Sequence, residues 1–194
     1  QRHVVALDQR RLDDGQRQPG DHDHAVEVDP RRHVREIDEA ARGELGMPVP
    51  MGDVRRPSGE VIRDPDQQAQ ATIALIFEQF ERCGTINGVL QYLVRHQIQL
   101  PHRVRVGLRQ GDLDWRRPNR TTLSNVLHHP IYAGAYVYGR RPTDPRRQQP
   151  GRPATGRRGA APADCAVLLQ DRVPADISWA QFERHQAQLA ANQT

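Results

Sequence analysis

Apolar residues recur at helical spacing twice in the middle of this chain. Ile73, Ile76, Phe77 and Phe80 fall at i, i+3, i+4 and i+7, and Ile86, Val89, Leu90 and Leu93 repeat the same intervals. Each set makes one stripe on a 3.6-residue period, which predicts two amphipathic helices with core-facing sides. The first is predicted to open at Asp64-Pro65-Asp66-Gln67, with Asp64 as N-cap, Pro65 at N1 and Gln67 in the capping-box position. Gly84 closes it and Thr85 caps the second, so the pair should meet in a tight corner. A third helix, Thr122 to about His128, has only Leu123, Val126 and Leu127 to bury. Such a short helix does not persist alone in water, so its apolar edge must dock on the first two. Ser124, Asn125 and His128 are then left on its outer faces.

Beyond this helix the period changes. From Ile131 to Tyr138, Ile131, Ala133, Ala135 and Val137 alternate with Tyr132, Gly134, Tyr136 and Tyr138, which predicts a strand. Residues 166–169 offer a returning strand, making 140–160 the tip of a long hairpin. Ser178-Trp179-Ala180-Gln181 is a capping box that opens a last helix, with Trp179, Phe182 and Leu189 on one side and its end near Asn192. Leu100 to Asp114 reads as a long loop, and Trp115 as a core plug beneath the segment that follows. Residues 64–194 are thus one domain, mainly α with a small β-hairpin.

The first 63 residues have a different character. Residues 1–40 hold no aromatic residue and no sustained period, and their Arg, His, Asp and Gln bias resembles a shifted frame of GC-rich DNA. They are expected to be a disordered or out-of-frame segment, with no packing role before Val61. Asp21-His22-Asp23-His24 with His33 lacks an apolar shell to orient metal ligands, so no metal or cofactor is assigned. Residues 41–63 form a Pro- and Gly-punctuated extended linker, with a turn at Arg55 to Glu60 and a short strand at Val61-Ile62.

Charge is what points to a partner. The chain carries +4 overall, yet Arg103 to Arg158 holds 13 arginines against Asp112, Asp114 and Asp144. All 28 basic residues are arginine, which fits a GC-rich genome as well as a phosphate-binding surface. At that density, counterion release on binding phosphate favours double-stranded DNA. Arg116, Arg117, Asn119, Arg120, Thr121, Thr122, Ser124 and Asn125 gather where the third helix begins. There backbone amides meet phosphate, and Arg and Asn side chains can fork onto base edges. The layout is that of a helix-turn-helix-like DNA-binding domain, with the third helix in the recognition position. Arg140, Arg141, Arg146, Arg147, Arg157 and Arg158 lie in a loop too poor in apolar residues to pack, expected to be a flexible basic arm on DNA.

Other chemistry is not supported. There is no glycine-rich phosphate loop, and Ser124 with His128 one turn on lacks a third orienting group. His128-His129 suits a helix end, where histidine caps carbonyls. Cys83 and Cys165 have no CxxC partner, which suits a reducing cytoplasm, and no apolar run reaches the ~18 residues of a membrane span.

Several segments carry a family resemblance. They are Ala41-Arg42-Gly43-Glu44-Leu45, Pro48-Val49-Pro50-Met51-Gly52, Arg63-Asp64-Pro65-Asp66-Gln67-Gln68, Ile76-Phe77-Glu78, Trp115-Arg116-Arg117-Pro118-Asn119, and the run from Asn125 through His128-His129-Pro130-Ile131-Tyr132-Ala133-Gly134. From about Ala41 onward the chain resembles the recombinase domain of large serine recombinases, the resolvase/invertase-type enzymes of mobile elements. The resemblance implies site-specific DNA binding in DNA recombination or integration, within a bacterial, cytoplasmic and nucleoid-associated protein. It also implies tetramer-based strand exchange, with self-association through regions outside this chain. The family's nucleophile domain and zinc ribbon are not readable here, and no serine precedes Ser58, so a truncated form, inactive alone, is expected and no catalytic residue is assigned. Two other readings remain open: a dimeric helix-turn-helix transcriptional regulator, and an RNA- or protein-binding basic module.

Overall fold

The two predicted stripes face each other in the computed structural model, which describes residues 30–42, 49–149, 151–152, 155–160 and 164–192. Helices α2 (Gln67–Cys83) and α3 (Ile86–Arg95) turn on Gly84, whose φ of 67° is left-handed and suits a residue without Cβ. Helices α4 (Arg120–Leu127) and α5 (Trp179–Ala191) close the core from the other side. Ile73, Ile76, Phe77 and Phe80 pack with Val89, Leu93, Leu123, Leu127, Ile131, Tyr132, Phe182 and Leu189. Thr85 caps α3 and Ser178 caps α5 as the sequence predicts.

The cap of α2 lies elsewhere. Asp66, not Asp64, is the N-cap, its Oδ1 accepting from the Ala69 N–H at 2.8 Å. Asp64 is buried instead and meets Arg103 with both oxygens, at 2.6 and 2.7 Å. The predicted loop from Leu100 to Asp114 is a hairpin, β3 (Leu100–Arg103) with β4 (Leu113–Arg116), paired from Leu100↔Arg116 to Arg103↔Leu113. Beyond Leu100 and Pro101 its side chains are half-buried or exposed, so no alternation marks it. Trp115 is a half-buried strand residue opposite Pro101, outside the main core, so it is no plug.

The predicted strand from Ile131 to Tyr138 begins as a 3-10 helix, Pro130–Ala133, and becomes strand only at β5 (Tyr136–Tyr138). Every residue from Pro130 to Val137 is buried, so the alternation there does not separate core from solvent. Strand β6 (Val167–Leu169) pairs antiparallel with β5 where the returning strand was expected. A further hairpin, β1 (Asp53–Arg55) with β2 (Val61–Arg63), occupies the segment read as a linker. The described residues thus form five helices with three separate two-stranded pairs, a mainly α fold. No described helix is long and apolar enough to cross a membrane.

The expectation of no packing before Val61 fails at α1 (Pro30–Arg42). Ala40 is wholly buried against Tyr136 and Val167, Ile37 packs beside them, and Tyr138 donates to Glu36 at 2.9 Å. Only one narrow side of α1 is apolar, spaced i and i+3, which a window average over a highly charged segment hides. His33 falls on this helix, while His22 and His24 lie outside the described residues. Ala40→Asp is expected to cost about 2–4 kcal/mol, because it buries an unpaired charge against a small core. Thermal unfolding checks this, and an unchanged midpoint would mean that α1 does not hold to the β5–β6 pair.

Candidate nucleic-acid interface

Helix α4 is fixed at both ends by side chains. At its start Asn119, rather than a threonine, is the N-cap, with Oδ1 accepting from the Thr122 N–H at 2.8 Å. At its finish the Leu127 carbonyl accepts from Gln186 Nε2 at 2.8 Å, and the His128 carbonyl from Arg140 Nη2 at 3.1 Å. The His128 ring donates from Nδ1 to the Ser124 carbonyl at 2.8 Å, so the serine and histidine form a helix end and no catalytic pair. Leu123, Val126 and Leu127 are buried, which turns Arg120, Thr121 and Asn125 to solvent and leaves Thr122 and Ser124 half-buried.

Arg116 and Arg117 are exposed just before α4, at the end of β4. Arg116 lies 3.5 Å from Asp114. Arg117, Arg120, Arg141, Arg146, Arg152, Arg157 and Arg158 are all exposed and pair with no acid among the described residues. Among the described residues, no acidic side chain neutralises their charge. Arg147 stands 3.8 Å from Asp144 and is also exposed.

Arg140 belongs to a different class. It is half-buried, and its guanidinium is spent on the carbonyl at the end of α4. It joins the basic arm to the helix and is not itself free for phosphate. Behind it, burial and then the Arg140 charge push His129 down to about pKa 3. The neutral ring accepts from the Ile131 N–H at 3.2 Å and sets the 3-10 turn.

The arm was expected to be unable to pack, and part of it is ordered. Thr143 bridges Arg157, the Asp144 N–H donates to the Gly156 carbonyl at 2.9 Å, and the Arg158 N–H to the Pro142 carbonyl at 3.0 Å. Gly156 is needed here: a Cβ on it would stand 2.8 Å from the Asp144 oxygen. Backbone hydrogen bonds rather than apolar contacts hold this ladder, which is why hydrophobic pattern misses it. Arg141, Arg146, Arg147, Arg157 and Arg158 project from it.

Sequence reasoning missed Arg152, also in the arm, and Gln186, whose role appears only when α5 is docked. It read the link between α3 and α4 as a loop rather than a hairpin. Residues 96–119 and the β3–β4 hairpin separate them, whereas a simple helix-turn-helix joins its helices by three or four residues.

Residues 67–192 match the model of the family described as Recombinase. The uncharacterized protein y4bA/y4pH of Sinorhizobium fredii (strain NBRC 101917 / NGR234) is 39% identical over 158 residues, covering 81% of this chain and 22% of that protein. The chain therefore spans about a fifth of that relative's length. The solved structure "Crystal Structure of a LSR-DNA Complex" superposes with a TM-score of 0.51 at 14% identity, over 81% of this chain and 38% of that one. At that identity the likeness is one of fold.

Proposed function

Because the chain belongs to the Recombinase family, the domain that its sequence resembles in large serine recombinases, we propose that it binds duplex DNA for such an enzyme in site-specific recombination. The observation that carries this reading is the set of exposed arginines without acidic partners among the described residues, which begins before α4 and continues into the arm fixed to its other end. In this reading α4 faces the major groove as a recognition helix in a helix-turn-helix variant. Arg117, Arg120 and Asn125 meet bases or the phosphates beside them, and the arm tracks the backbone. The solved relative is a DNA complex by its own description, which agrees with this partner. A regulator that binds DNA without recombination is not favoured by the family match.

The two sets of arginines should behave differently on duplexes selected from a randomised pool. Arg120→Ala is expected to cost about 1–3 kcal/mol and to relax base preference at one position. Arg146→Ala or Arg157→Ala is expected to weaken selected and unselected duplexes alike, lowering the salt slope by about one unit. Fluorescence anisotropy across a salt series measures both. Identical effects of the two sets on both kinds of duplex would refute the assignment.

A further inference from the structure

The β3–β4 hairpin ends in a tip that the core does not explain. Three large apolar residues are exposed among those described, and two of them, Val106 and Leu108, sit on this tip, the first 80% exposed and the second fully. The tip is nevertheless ordered. The Val104 N–H donates to the Asp112 carbonyl at 3.0 Å, Gly111 N–H to Val104 at 2.8 Å, and Gln110 N–H to Gly107 at 3.0 Å. Arg103 reaches from β3 to the Gly111 carbonyl at 2.8 Å while gripping Asp64. Exposed Arg105 and Arg109 flank the apolar pair, Arg105 donating from Nη2 to the Val49 carbonyl at 3.0 Å, and no acid occurs from Leu100 to Gly111.

We propose that this tip is a second DNA contact, in which Val106 and Leu108 enter the minor groove as a wedge while Arg109 holds a phosphate beside them. The inference rests on the DNA-binding reading above. Size and charge select this occupant. A stable protein interface takes about 800 Å² from each partner, of which two side chains supply a small part, whereas one or two apolar side chains suffice to part a base step. Arg109 pairs with Asp112 at 3.0 Å with both side chains largely exposed, a weak pair that phosphate can displace. The tip also stands at a suitable reach. It lies roughly 20 Å along the strands from Arg116, close to the half-turn of ~17 Å that separates neighbouring grooves.

The test uses the full chain and a mixed-sequence duplex with 2-aminopurine beside its flexible TA and CA steps, where a wedge unstacks bases most easily. Wild type should brighten the probe on binding. The V106S/L108S variant should abolish that rise and bind roughly tenfold more weakly, while L108M retains both. Both side chains are exposed, so these changes leave the fold intact, which circular dichroism verifies. If V106S/L108S brightens and binds like wild type while Arg120→Ala weakens binding, the wedge is wrong and the DNA reading stands. Loss of self-association in sedimentation, with DNA binding and probe signal unchanged, would make the tip a protein contact and overturn the proposal. A wild-type chain that binds no duplex would sink the DNA reading first, before any variant is compared.

Discussion

Replacing Asp64 by alanine is expected to cost about 3 kcal/mol of stability. The carboxylate is 1% exposed, accepts from Arg103 Nε and Nη2, and takes the Asp66 N–H at 3.0 Å. Removing it leaves Arg103 with no anion and frees the hairpin from the start of α2. The Arg103 side chain is 30% exposed, so water can partly solvate the orphaned charge, which keeps the cost at the low end for a broken buried pair. Burial raises the Asp64 pKa, but the bonds from Arg103 and the Asp66 N–H and the Arg103 charge outweigh it, and the net value lies below the ordinary one. A depressed folded value favours the native state above the unfolded pKa, and that contribution disappears as pH falls through the folded value. Urea unfolding of Asp64→Ala, Arg103→Ala and the double variant measures the pair. Additive losses would show that the two side chains do not depend on each other.

Asp53→Asn is expected to act in the opposite direction at neutral pH, stabilising the fold by about 2–4 kcal/mol relative to wild type. Asp53 is 5% exposed and its Oδ1 has no hydrogen-bond partner. Burial first, then the Asp176 charge, raise its pKa to about 7 against the pull of Arg63, with Asp64 adding a smaller push. Burial also raises Asp176, which Arg63 opposes from 3.4 Å. A carboxyl with a raised folded pKa supports the native state most below its unfolded value, and this support is lost as pH climbs through about 7. His129, whose folded pKa lies at about 3, opposes this over the same range, because a depressed histidine pKa costs stability as pH falls below its unfolded value, so the two contributions largely cancel in the wild-type profile. Thermal midpoints of wild type and Asp53→Asn from acid to pH 8 test this, and a difference between the two that does not grow from pH 4 to 7 would contradict the protonated, buried Asp53.

The helices were legible because their signals are local. Stripes at Ile73 to Phe80 and Ile86 to Leu93 need only the 3.6 period, and Thr85 and Ser178 cap within three residues of themselves. What escaped depends on partners far along the chain. Asp64 looked like a cap because its partner, Arg103, lies 39 residues away. The strands of all three hairpins are three or four residues long, too short for alternation to establish itself, and β5 is buried on both faces. At the candidate site the cluster before α4 was visible as composition. The separate role of Arg140 was not, because only folding brings it to the His128 carbonyl.

The two-ended fastening of α4 has a thermodynamic consequence. A helix of eight residues that froze only upon contact would add its ordering to every association and show a large negative heat-capacity change from coupled folding. Here Asn119, Gln186 and Arg140 have already fixed the segment, so association proceeds as rigid docking and its heat capacity should reflect the buried contact surface alone. The same fastening makes the helix and the arm mechanically one body, since Arg140 at the start of the arm holds the carbonyl at the end of the helix. Whatever restrains the arm also restrains the helix, and perturbations placed in the two should combine non-additively.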